Sequence, residues 1–385
     1  MTYHMKSIFL RIIAAAIAAS TLFSLESIAK SIPETVTGAS DSRIVYVGRT
    51  LAEDSNVSFD WSGVYTRVRF EGNYLALKAS DTKKNYYDIW IDKPAGPVAD
   101  KVIGISGNDS LYVILNEEFL KQIGIKPGKN SVHNVIIKRR TEGEQGRTTF
   151  HEFVTKGEML QAEGLKKRQF EVIGDSYTCG YGTEKSIKTD PFLPETENSN
   201  LTYAAILSRY FDADYFVVAH SGMGIARNYN DNMKGDYMPD RYLNVFDSAE
   251  GPKWSAKDSE FKPEVVIIYL CTNDFSTGRQ PSSREFTANY TKLIRRVKDN
   301  YGEDCPILCI SSKCDDMAAD YVRGAARNCG MEKVYFLSLT EMIHNDEDEL
   351  GASWHPNYQG HIKIAHAVIP YISTITGWEI NDNIK

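Results

Sequence analysis

The sequence predicts two joined parts, an all-β sandwich of jelly-roll type followed by an α/β domain built on a parallel sheet. Between Arg43 and about Phe153, short alternating or β-branched runs are separated by Gly, Asn, Asp and Pro at intervals typical of a sandwich. Beyond Arg168 the runs become continuously apolar, as strands buried on both faces require. Helical stretches lie between most of those later runs, and strand–helix alternation implies a parallel sheet covered on both sides. A length of 385 residues is too long for one ordinary core and suits two.

Taken in order, the chain begins with Lys6 and Arg11 ahead of an apolar run over 12–25, with small residues at Ser27 and Ala29. That pattern predicts a secretory signal over 1–29, cut after Ala29, and a secreted or periplasmic product. The alternative is an uncut anchor, although the run is short for a span of ~20 residues. No cysteine lies near the cut, which argues against a lipid-anchored start. Strands are expected at 44–47, 65–70, 74–77, 87–91, 110–115 and 133–138, with one helical turn at 117–123. The β region is placed at 30–155, a charged, glycine-punctuated linker at 156–168 and the α/β domain at 169–385. Strands of the latter are expected at 170–173, 215–219, 264–270, 306–310 and 334–337. Phe286, Tyr290, Leu293, Ile294 and Val297 mark one apolar helix face, and Ile362, Ala365, Ile369 and Ile372 another.

Hydrophobic content of 42% and charged content of 25% are those of a soluble globular protein. The formal net charge is −7, and loss of 1–29, with Lys6, Arg11 and Glu26, leaves −8. An acidic exported protein is a poor match for nucleic acid or anionic lipid, so neither is expected as a partner, nor a membrane once the signal is gone. Cys179, Cys271, Cys305, Cys309, Cys314 and Cys329 all lie in the second half, with no zinc-site spacing. Export permits disulfides, but Cys309 sits inside an apolar strand, and buried thiols are the simpler expectation.

Chemistry is expected at the carboxyl ends of the later strands, where α/β sheets keep their ligands. The run 169–173 stops at Gly174 and is followed by Asp175 and Ser176, an exposable hydroxyl after a residue small enough for a tight turn. A serine nucleophile needs a base, and histidine suits neutral pH. His355 lies in Trp-His-Pro-Asn just before the last helix, where Pro356 keeps it on a loop. His361 is expected to pack in the first helical turn and His366 to be structural; a metal site at His355 and His361 lacks a third ligand. Acyl transfer also needs fixed donors for an oxyanion. Gly222, after the second strand, offers a backbone N–H, and Asn273, after the third, an amide. Each feature alone is an ordinary turn or helix cap, but together they fall at successive strand ends of one sheet.

Gly174-Asp-Ser176, Ser221-Gly222, Thr272-Asn273-Asp274 and His355-Pro356 resemble the four blocks of the SGNH (GDSL-type) hydrolases. With the preceding β region, the likeness extends over the mature chain to the second family of carbohydrate esterases, which remove acetyl groups from plant-wall polysaccharides. The resemblance implies a flavodoxin-like catalytic domain and a secreted serine esterase for acetylated xylan or glucomannan, needing no cofactor or metal. It makes Ser176 the nucleophile and His355 the base, with the Ser176 and Gly222 N–H groups and the Asn273 amide as oxyanion hole. It places Asn228 and Tyr229 near the sugar. Cys271 stands where most members have glycine, and Ala352 where the superfamily has an acid. The missing acid implies a Ser–His dyad whose histidine is oriented by a main-chain carbonyl, that of Trp354. Asp315, Asp316 and the acidic run 346–349 are the carboxylates that could otherwise complete a triad. An esterase for another acyl group, such as a peptidoglycan O-acetyl, and a non-catalytic carbohydrate-binding protein on an esterase scaffold are the competing readings.

Overall fold

A computed structural model describes residues 33–231, 235–248, 251–276, 279–311, 316–340, 342 and 347–380. The expected signal over 1–29 lies outside them, as do Asp315, Asp346 and Cys314. None of the described helices is long and apolar enough to cross a membrane.

Ten strands form one antiparallel sheet: β1 (Thr35–Gly38), β2 (Val45–Val47), β3 (Leu51–Glu53), β4 (Asn56–Phe59), β5 (Tyr65–Glu71), β6 (Leu75–Ile91), β7 (Lys101–Leu115), β8 (Val132–Arg139), β9 (Thr148–Thr155) and β10 (Met159–Leu160). The separate strands expected at 74–77 and 87–91 are the two ends of β6. Its first part pairs with β9 and its last part with β8, with register shifts around Asp81 between them. Bulges bend a long strand, so β6 and its partner β7 carry the sheet around a single core that includes Phe59, Trp61, Phe70, Tyr87, Ile89, Val135 and Phe153. The expected linker is not free chain: within 156–168, Met159 and Leu160 pair with Phe70 and Arg69.

The second part has five parallel strands, β11 (Gln169–Gly174), β12 (Asp214–Ala219), β13 (Val265–Tyr269), β14 (Ile307–Ser311) and β15 (Val334–Ser338), in the order β12-β11-β13-β14-β15. Period-two alternation divides their side chains between two layers. Phe170, Val172, Val217 and Ile267 meet helices Tyr203–Phe211 and Tyr358–Thr376, whereas Ile173, Val218, Ile268 and Cys309 meet Ser283–Tyr301. Ser282 caps that last helix by accepting from Glu285 N–H. His366, expected to be structural, is exposed, because the apolar line of its helix runs through Ala365 and Ile369. Among the described cysteines, Cys179, Cys305 and Cys309 are buried thiols without a disulfide.

The two halves meet across buried charge. Glu171, in the middle of β11, is held by Arg49 of the β half at 2.8 Å and by the Tyr242 hydroxyl at 2.8 Å, with both charged side chains inaccessible. Asp214 pairs with Arg67 and accepts from Tyr65 at 2.6 Å. Removing one member of a buried ion pair strands the other without solvent or partner. Arg49→Leu should therefore destabilise the whole chain by about 3–5 kcal/mol. Urea unfolding followed by tryptophan fluorescence and far-UV circular dichroism should move together as one transition; a shift under 1 kcal/mol, or separate transitions, would contradict this.

Candidate active site

Three adjacent strands, the edge strand β12 with β11 and β13, end side by side, and each delivers one group. Gly174 closes β11; a Cβ there would stand 2.0 Å from Thr178 Oγ1, so the turn into the helix Ser176–Cys179 needs glycine for close packing. Asp175 caps that helix by accepting from Tyr177 N–H at 3.2 Å. Ser176 is the helix's first residue. Its Oγ donates to His355 Nε2 at 2.8 Å. After β12, Gly222 takes φ +78°, and its N–H has no acceptor among the described residues. After β13 comes Asn273, buried, whose Nδ2 donates to Met223 O at 2.9 Å and lies 3.2 Å from Asp175 Oδ2. Cys271, just before it, has φ +141°, a conformation that favours glycine and that costs a side-chain-bearing residue strain.

His355 reaches the serine from the loop before the last helix. Asn357 caps that helix, accepting from Gln359 N–H and Gly360 N–H, and leaves His355 extended at φ −87°, ψ 156°. Its Nδ1 lies 2.8 Å from the carbonyl of Ser353. A carbonyl only accepts, so Nδ1 carries the proton and Nε2 presents its lone pair to the serine. The orienting carbonyl expected at Trp354 is thus that of Ser353. Ser353 (φ +54°) and Trp354 (φ +64°) are both left-handed, and this double turn swings the Ser353 carbonyl back under the ring. Asp190 and Lys188 carbonyls pin the Ser353 and Trp354 N–H groups, each at 3.0 Å.

Of the sugar contacts expected, only Tyr229 is accessible, 49% exposed and with its Cβ beside Gly222. Asn228 is fully buried; its Oδ1 accepts from Gly224 N–H at 2.9 Å and its Nδ2 donates to Asp236 O at 2.8 Å. It braces the loop from within and is not a sugar contact. Asp348 is exposed, and Glu349 pairs with Lys363 at 2.5 Å. His361 is buried, its Nδ1 accepting from Tyr203 N–H at 3.3 Å; burial pulls its pKa down to about 3, so it stays neutral.

Several residues at the site escape sequence reasoning. The Tyr181 ring lies over His355 with centroids 4.5 Å apart and stacks on Phe192 at 3.8 Å. Asp274 accepts from the N–H groups of Ile225, Ala226 and Arg227 at 2.7–3.0 Å, tying the block after β12 to that after β13. Tyr181 could have been found from its place one turn past the serine. Glu142, Cys179 and Glu197 bring three potential ligand atoms within 4.8 Å of one another, all buried, but a Ser221 N–H already occupies one Glu142 oxygen.

A parallel sheet with a serine at one strand end, bonded to a histidine on the loop before the last helix, is the arrangement of serine hydrolases of the SGNH kind. The chain carries a GDSL-like lipase/acylhydrolase domain, whose family model matches residues 172–362, preceded by the N-terminal domain of carbohydrate esterase 2, whose model matches residues 46–162. It is 30% identical over 345 residues to a cellulase/esterase of Acetivibrio thermocellus, covering 87% of this chain and 40% of that protein. The chain therefore spans well under half the length of that relative. It is 27% identical to an acetylxylan esterase / glucomannan deacetylase of Cellvibrio japonicus, covering 86% of this chain and 90% of the relative. A family two carbohydrate esterase from Clostridium thermocellum, solved with cellohexaose, superposes with a TM-score of 0.77 at 29% identity, over 87% of this chain and all of the other.

Beside the Gly222 loop, His220 is buried against Asp247 (2.7 Å), Glu144 (3.4 Å) and the Arg241 guanidinium (3.3 Å). Burial works against its charge, but the Asp247 carboxylate, and Glu144 and Glu142 behind it, outweigh that and raise its pKa to about 10. A raised pKa contributes stability that is complete below the unfolded value near 6.5 and is lost as pH rises through about 10. The stability difference between the wild type and His220→Gln should therefore shrink by about 1.4 kcal/mol per pH unit above 6.5. Urea midpoints measured from pH 6.5 to 9.5 test this; a constant difference would refute it.

Proposed function

We propose that the chain is an exported serine esterase that removes O-acetyl groups from hemicellulose, acetylated xylan or glucomannan, through a Ser176–His355 dyad. The observation that carries this reading is the 2.8 Å bond between Ser176 Oγ and His355 Nε2, set among donors at three adjacent strand ends. The named activity of the Cellvibrio japonicus relative supports acetyl as the acyl group and hemicellulose as its carrier. Export rests on the apolar run and small residues of 1–29.

In this mechanism Ser176 Oγ attacks the acetyl carbonyl while its proton passes to His355 Nε2. Negative charge gathers on the former carbonyl oxygen. It is met by the N–H groups of Ser176 and Gly222 and by the Asn273 amide, which Met223 O holds at the end of β13. The imidazolium then gives its proton to the departing sugar oxygen, leaving acetyl on Ser176. Water repeats the sequence, and acetate leaves. The Ser353 carbonyl keeps Nδ1 protonated throughout and so keeps Nε2 free to shuttle. Tyr229, standing at the Gly222 side of the site, is assigned to the sugar.

Ser176→Ala should abolish acetate release from acetylated xylan while leaving the unfolding midpoint nearly unchanged, since it deletes one hydroxyl at a strand end. A folded variant keeping a tenth of wild-type kcat would refute the assignment. The dyad makes a separate claim. Asp315, Asp316, Asp346, Glu347, Asp348 and Glu349, changed singly to their amides, should each lower kcat by no more than about tenfold, far from the ~10⁴ lost with a triad acid. One folded amide variant falling a thousandfold would restore a triad.

A further inference from the structure

The β half has no role in the chemistry just described, yet one of its side chains reaches the site. Glu142 lies in the turn between β8 and β9, fully buried. Its Oε2 accepts from Ser221 N–H at 2.7 Å and from the Cys179 thiol at 3.4 Å. Ser221 immediately precedes Gly222, and Cys179 ends the helix that begins at Ser176. One carboxylate oxygen thus touches both segments whose N–H groups must converge on the oxyanion. We propose that Glu142 is a positioning residue, supplied by the β half, that sets the Gly222 N–H in register with Ser176.

The turn that carries Glu142 is rigid enough for this. Arg139, itself buried, donates to the carbonyls of Thr141, Glu142 and Gly146 at 2.6–2.9 Å. Gly143 is pressed so closely on Asp247 that a Cβ would stand 2.4 Å from its carboxylate. Glu142 N–H donates to Glu197 Oε2 at 3.2 Å. Burial pushes both Glu197 and the Cys179 thiol well above their ordinary values, and Glu142 Oε2 accepts from the thiol and from Ser221 N–H. Burial also raises Glu142, while His220 and the Ser221 N–H pull it back. A side chain held on a rigid element places its hydrogen-bond partner to within the tolerance that an oxyanion site demands.

This inference rests on the esterase reading, and the two can fail separately. Wild-type turnover of 4-nitrophenyl acetate and its loss in Ser176→Ala test that reading; ratios between Glu142 variants and wild type test the inference alone. Glu142→Asp keeps the charge but withdraws the oxygen by one methylene, whereas Glu142→Gln keeps an acceptor at full reach. In the full chain, the Asp variant should lose about 10- to 100-fold in kcat with KM within twofold, part of the ~10²–10³ that loss of an oxyanion donor costs. Its affinity for phenylboronic acid, which forms a tetrahedral adduct on the serine, should fall by a similar factor. Glu142→Gln should stay within about threefold on both measures, the rescue that mere loss of stability would not give. A folded Asp variant within threefold of wild-type kcat would overturn the proposal. So would unchanged boronate affinity, or an equal loss in the Gln variant. If the Asp variant does not fold, Glu142→Gln decides: retention within threefold supports the role, and a larger fall refutes it.

Discussion

Glu171 projects from the second strand of the parallel sheet into the seam between the halves and meets Arg49 there, beneath Trp254 and Tyr242. Neither charge has access to water, so neither half can keep its own face of the seam without the other. Asp214 with Arg67 and Tyr65 repeats the arrangement one strand away. A tethered module would place solvated charge at such a boundary; here the boundary is interior. The geometry of the strand ends depends on this seam, because β11 and β12 each carry a buried acid whose charged partner, Arg49 or Arg67, comes from the β half.

On that platform a main-chain group, the Ser353 carbonyl, takes up His355 Nδ1. A carboxylate behind the histidine would hold the tautomer and also counter the imidazolium. The Ser353 carbonyl does the first with a full hydrogen bond and the second only through its dipole. The geometry is maintained by two consecutive left-handed residues, each costing on the order of 1–3 kcal/mol and stabilised by carbonyls of Lys188 and Asp190. A strained turn therefore stands where the superfamily pattern has an acid, and Ala352 at that position is wholly buried.

The parallel strands were legible because burial on both faces leaves an uninterrupted apolar run; each observed strand begins and ends within one residue of its expected place. Ser176, Gly222, Asn273 and His355 were legible as strand-end and loop residues, and the structure brings them together. The carbonyl behind His355 was not, since which of two neighbouring carbonyls turns inward depends on the φ of Ser353 and Trp354, and neither is a residue type that announces a left-handed turn. Asn228 was misplaced for a related reason: its position in a block says nothing about whether its amide faces the sugar or the loop's interior. In the β half, β6 read as two strands because polar residues over 81–85 interrupt it where it bends.

Backbone orientation of the histidine has an evolutionary consequence. An acid that aligns a catalytic base is encoded by a single codon, and one nucleotide change can erase it. A peptide carbonyl belongs to every amino acid, so no substitution at Ser353 deletes the acceptor. What heredity must preserve is instead the conformation of 353 and 354, a property spread over the loop contacts at 188 and 190. In the proposed dyad, position 352 carries no requirement for charge and asks only for a residue small enough to pack against Gly182.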